Sequence, residues 1–135
     1  MRDQELILRF LALHENLSKY QKPLGDFLSS FMARQRSASP ATLDRYAELF
    51  EATAGRIRQS LGARPFHLYA GLNAATFDAV FVAMSRVETP LPENISDRFR
   101  ELVRNPEFTN LISYATTDTD SVKQRIALAS NLLTE

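Results

Sequence analysis

The chain has 135 residues, 44% of them hydrophobic and 24% charged, the proportions of an ordinary globular domain with one core. Sixteen basic residues balance sixteen acidic ones, so the formal net charge is zero and no overall positive field holds a polyanion in place. The lack of cysteine excludes disulfides, thiol catalysis and Cys-ligated zinc, which fits a reducing cytoplasm, and no apolar run approaches the roughly 18 residues that a membrane span needs.

In chain order, Leu6, Phe10, Leu13, Leu17 and Tyr20 recur at steps of four and three, which predicts a first helix starting near Arg2 or Asp3 and burying a wide stripe. Pro23 suits the first turn of a second helix, with Leu24, Phe27, Leu28, Phe31 and Met32 inward and an end near Gln35. After the linker RSASP, Ser39 as N-cap and Pro40 at the first helical position start a third helix. Its stripe is Leu43, Tyr46, Phe50, Ile57 and Leu61, and Gly62 is its stop. ARPFHLY reads as extended chain or a short turn. A fourth helix is expected from about Leu72 to Val87, broken by TPLPE. A fifth covers roughly Glu93 to Arg104, and Asn105-Pro106 forces a turn before a short piece with Phe108, Leu111 and Ile112. TTDTD then supplies caps for a last helix with Val122, Ile126, Ala129 and Leu133 inward. The expected fold is all-α, a compact bundle of six to seven amphipathic helices forming one domain over residues 1–135.

Glu5 and Arg9 stand one helical turn apart in the order that favours an ion pair, and we read them as a structural pair, since a carboxylate and a guanidinium without a third partner seldom do chemistry. His14 and His67 are the only histidines and sit in no metal-binding spacing. No GxSxG turn marks a nucleophile, and the four glycines form no phosphate-cradling loop, so neither a catalytic residue, a metal nor a cofactor is expected. Thirteen of the sixteen basic residues are arginine, the side chain best suited to gripping phosphate. Arg34 and Arg36 beside the linker, and Arg56, Arg58 and Arg64 around the end of the third helix, are the candidates for nucleic-acid contact. The competing explanation is that arginines near helix C-termini complement the helix dipole, which covers Arg34, Arg36, Arg58 and Arg104. Asn73 is expected to cap the fourth helix and Asp78 to face solvent, the alternative for both being a place in a groove between helices.

Taken together, RDQELILRFLAL, PLGDFLSSFM, ARPFHLYAGLNAATFDAVFVA and TTDTDSVKQRIALASNLL resemble the C-terminal helical part of the GmrSD-type modification-dependent restriction endonuclease family. The most specific matches are Asp3, Glu5, Leu6, Arg9 and Phe10, then Phe27, Leu28 and Met32, then Phe66, Asn73, Phe77 and Asp78, and finally Arg125. The resemblance implies an upstream ParB/sulfiredoxin-like nuclease domain carrying a DGxQR-type motif. That motif does not occur in this chain, so no catalytic residue is transferred to it. It follows as an expectation that the chain is the helical remainder of a larger phage-defence protein: a non-catalytic module that supports the nuclease domain and contacts DNA weakly. The alternative is a stand-alone domain that binds a partner protein. Apolar surface left bare by a missing partner domain predicts a homodimer or a loosely packed monomer.

Overall fold

The computed structural model describes residues 2–68, 71–88 and 90–135. Tyr69 and Ala70 of the ARPFHLYAGLN stretch and Thr89 of TPLPE lie outside the described residues. Seven α-helices follow one another among them: α1 (Arg2–Asn16), α2 (Leu24–Gln35), α3 (Pro40–Leu61), α4 (Ala74–Ser85), α5 (Ile95–Arg104), α6 (Pro106–Leu111) and α7 (Thr119–Thr134). A 3-10 turn, Leu17–Lys19, extends α1. Two short antiparallel strands, β1 (His67–Leu68) and β2 (Gly71–Leu72), pair His67 with Leu72 and Leu68 with Gly71 ahead of α4. The expected all-α class holds, with His67 and Leu68 of ARPFHLY providing one side of this small hairpin.

Local chemistry explains where the helices begin and end. Ser39 accepts a hydrogen bond from the Thr42 amide and Pro40 opens α3, while Gly62 closes it at φ 92°. Asn73 accepts from the amide of Thr76 and from its hydroxyl, and Asn105 accepts from the Phe108 amide ahead of Pro106. Four expectations shift. The first helix gives way to the 3-10 turn after Asn16, short of Tyr20. Pro23 is the N-cap of α2, not its first residue, and Asp118 begins α7 without a side-chain cap bond. Met32 and Leu43, expected inside, are 53% and 50% exposed.

Helix α4 is the axis of the bundle. It packs against α7, α1 and α3, and every residue from Ala75 to Met84 is buried. Its sequence is apolar on all sides, the pattern of a helix enclosed by others rather than lying on a surface. Helices α5 and α6 pack on α7, and α2 packs on the outer side of α1. A chain of phenylalanine contacts runs through the core, with Phe77 on Phe81 at 4.3 Å, Phe81 on Phe50 at 5.5 Å and Phe66 edge-on to Phe77 at 5.5 Å. A smaller apolar cluster of Ala12, Leu28, Phe31 and Tyr46 joins α1, α2 and α3.

Candidate functional site

Among the described residues, the core holds charge at one place. Asp78 is fully buried on α4 and lies between Arg9 of α1, which is 8% exposed, and Arg125 of α7, which is 1% exposed. Arg9 donates from Nε to Asp78 Oδ2 at 3.1 Å and from Nη2 to the same oxygen at 2.5 Å. Arg125 donates from Nε to Oδ1 and from Nη2 to Oδ2, each at 3.3 Å, and from Nη1 to the Thr116 carbonyl at 2.5 Å. Asp78 therefore faces the core and not solvent. The expected Glu5–Arg9 pair is replaced as well: Glu5 is exposed, and Arg9 turns from it to the buried carboxylate. The physical reason is that an unpaired charge in an apolar interior costs several kcal/mol, whereas Glu5 keeps its hydration where it is.

The same region pins the loop between α6 and α7. Tyr20 donates its hydroxyl to the Thr117 carbonyl at 2.6 Å, and the Lys22 amide donates to Thr119 Oγ1 at 3.2 Å. Burial raises the Tyr20 phenol above its ordinary value; Arg125 and Arg9 oppose that shift, and Asp78 and Asp118 add to it. Asn73 Nδ2 donates to the Ile112 carbonyl at 3.2 Å, tying the start of α4 to the end of α6. Both oxygens of the Asp78 carboxylate are engaged by guanidinium donors, three on Oδ2 and one on Oδ1, and the side chain is fully buried. The triad is a clamp across three helices.

A Ser–His contact also occurs. His14 Nδ1 lies 2.9 Å from Ser85 Oγ, and Ser85 Oγ donates to the Val82 carbonyl at 2.8 Å. Ser85 thus has two neighbours for one hydroxyl proton, and the direction of its contact with His14 follows the imidazole tautomer. Burial lowers the His14 pKa from its ordinary value; Glu15 opposes the shift, while Arg86 and Arg45 reinforce it. No group of three or more His, Cys, Asp or Glu among the described residues is placed to hold a metal ion.

The five arginines singled out for nucleic-acid contact lie in different surroundings. Arg56 is half-buried and donates to the carbonyls of Met84 at 3.3 Å and Val87 at 2.7 Å, closing the end of α4. Arg34 borders a recess beside Lys19 and Lys22, and Arg36 borders a groove between α1, α2 and α3. Arg58 and Arg64 stand together, exposed, at an apolar cleft of about 580 Å³. The groove at Arg36, also about 580 Å³, is lined by Ile7, Leu8, Leu11, Met32, Leu43 and Tyr46. Ile7 and Phe50 line both, so the two recesses adjoin along α1 and α3.

Sequence reading missed the triad although a signal was present. AATFDAVFVAM has no polar face for Asp78 to join, so its carboxylate has to be buried and paired. Arg9 and Arg125 each interrupt an apolar stripe, beside Leu6 and Phe10 in one helix and Val122 and Ile126 in the other, which marks them as the partners. No helix among the described residues is long and apolar enough to cross a membrane. No protein-family model, curated protein or solved structure matches the chain.

Proposed function

We propose that this chain is a non-catalytic helical support module of the GmrSD-type endonuclease kind, whose α1–α2–α3 groove seats a ParB/sulfiredoxin-like nuclease domain. The observation that carries the reading is the groove itself, in which Met32 and Leu43 stay half-exposed beside Ile7, Leu8 and Leu11. Large apolar side chains gathered on one exposed face mark a surface that a partner covers. The rigid side of the module is the Arg9–Asp78–Arg125 clamp, formed by three of the residues on which the resemblance rests. DNA contact plays a minor part in this reading. Arg56 is engaged internally, and Arg34, Arg36 and the Arg58–Arg64 pair border three recesses, two of them adjoining, so DNA affinity of the chain alone is weak and salt-sensitive.

The test is light scattering after size-exclusion chromatography, on the chain alone and mixed with such a nuclease domain from the same source. A one-to-one complex that is lost in Met32→Glu/Leu43→Glu is the expected result, with some self-association of the chain alone through the same face. Capture of an amphipathic peptide in that groove, with no complex to the nuclease domain, would favour the stand-alone interaction domain instead.

A further inference from the structure

The second recess has a chemistry of its own. Its wall is formed by the end of α3 and the segment that leads into the hairpin, from Arg58 through Gly62 and Arg64 to His67. Behind that wall the cleft is almost wholly apolar, with Ile57, Phe66, Phe77 and Phe81 buried at its base and Phe50 beside them. Part of the wall's backbone is engaged internally: Gly62 donates to the Arg58 carbonyl at 3.1 Å, His67 to the Arg64 carbonyl at 3.4 Å, and Asn73 to the Phe66 carbonyl at 2.8 Å. The charge at the rim is carried by side chains. Arg58 and Arg64 are exposed, and neither guanidinium makes an ion pair or a side-chain hydrogen bond within the described residues. Among the described residues Asp3 is the only acid on the cleft, so the rim carries an excess of positive charge.

Complementing the Arg58 carbonyl end of α3 requires one cation at most, and Arg64 lies beyond the last turn. Two free guanidiniums next to an apolar recess match a ligand with an apolar body and one planar anionic head. A nucleobase fits poorly, because its hydrogen-bonding edge would be set against phenylalanine rings without partners. A cleft of about 580 Å³ lies within the roughly 300–1,000 Å³ range of small-molecule sites. We propose that this cleft binds an acyl monocarboxylate, its chain along Phe50, Phe66, Phe77 and Phe81 and its carboxylate held by Arg58 and Arg64. The inference stands apart from the partner-domain reading, which uses Met32 and Leu43 on the neighbouring groove.

The experiment is calorimetric titration of the full chain with decanoate below its micelle concentration, with decanol, decyltrimethylammonium and a short DNA duplex as comparison ligands. One decanoate is expected per chain, with binding weakened at least tenfold in Arg58→Gln/Arg64→Gln and unchanged in Met32→Glu/Leu43→Glu. Asp3→Asn is expected to bind as tightly or more tightly, because it removes the one opposing charge. Ala54→Phe, which fills the cleft from α3, is expected to abolish binding while circular dichroism reports an intact fold. All of the substituted polar side chains are exposed, so loss of binding is not loss of folding. Equal affinity for decanol or the cationic detergent, no effect of the arginine pair, or duplex DNA displacing decanoate would each overturn the proposal.

Discussion

Replacing Asp78 by asparagine keeps the shape of the side chain and deletes the one negative charge between two buried guanidiniums. The carboxylate accepts from Nε and Nη2 of both Arg9 and Arg125, and an amide has one acceptor oxygen for these four donors while pointing its own N–H groups at a cation. Removing one partner of a buried ion pair costs about 3–5 kcal/mol, because the remaining charge is stranded in the interior. Against a total stability of about 5–15 kcal/mol, that is about a fifth or more of what holds the domain together. At the few degrees per kcal/mol expected for a chain of this size, the midpoint falls by about 10–20 °C. The exposed Arg100–Asp97 pair is the internal control, and Asp97→Asn is expected to cost less than about 1 kcal/mol. Urea unfolding followed by circular dichroism reads both. A further variant with Arg9→Met, Asp78→Leu and Arg125→Met together should be more stable than Asp78→Asn alone, since an apolar replacement strands no charge. An Asp78→Asn loss no larger than that of Asp97→Asn would refute the reasoning.

Other expectations follow from single side chains. Gly62 lies at φ 92° and ψ −169°, a region that only glycine adopts readily, so Gly62→Ala is expected to cost about 1–3 kcal/mol although nothing crowds the added Cβ. Gly55→Ala, mid-helix in α3 with open space around it, is expected to stabilise by about 0.5–1 kcal/mol in the same unfolding assay. Arg56→Ala removes a charged donor from the Met84 and Val87 carbonyls at the end of α4, and a loss of about 1.5–3 kcal/mol is expected, with hydrogen exchange rising first in that turn. His14 is held below its ordinary pKa of 6.5 chiefly by burial, so the unfolded chain binds more protons in the window just below that value. Its contribution is complete above the unfolded pKa and is lost as pH falls through the folded one; in His14→Gln, the fall in melting temperature on acidification from pH 7.5 should be shallower.

The helix boundaries were the most legible part of the chain, because they are written in local chemistry. Ser39-Pro40, Gly62, Asn73 and Asn105-Pro106 each act on backbone groups within a few residues, so their effect does not depend on the rest of the fold. The long-range pairing was not legible in the same way. Glu5 is one turn from Arg9, and local geometry favours that pair, but Asp78 is brought to Arg9 only when α1 packs on α4, 69 residues away in sequence. Once a carboxylate is enclosed, the demand for a buried partner outweighs the few tenths of a kcal/mol of a solvated pair. Met32 and Leu43 failed as core residues for a related reason. Periodicity places them at the edges of their stripes, and only the packing angle of α2 and α3 against α1 decides which edge is covered. The apolar cleft at Arg58 and Arg64 was half visible: the arginines stood out near Phe66 and on the helix of Phe50, but Phe77 and Phe81 reach the cleft only when α4 packs on α3.

The clamp on which this account rests is open to direct observation by nitrogen-15 NMR of the arginine Nε–H groups at neutral pH. Of the thirteen arginines, Arg9 and Arg125 are expected to give Nε–H signals strongly protected from exchange with water, both released by Asp78→Asn. Rapid exchange at all thirteen, or protection that survives removal of the Asp78 charge, would contradict it.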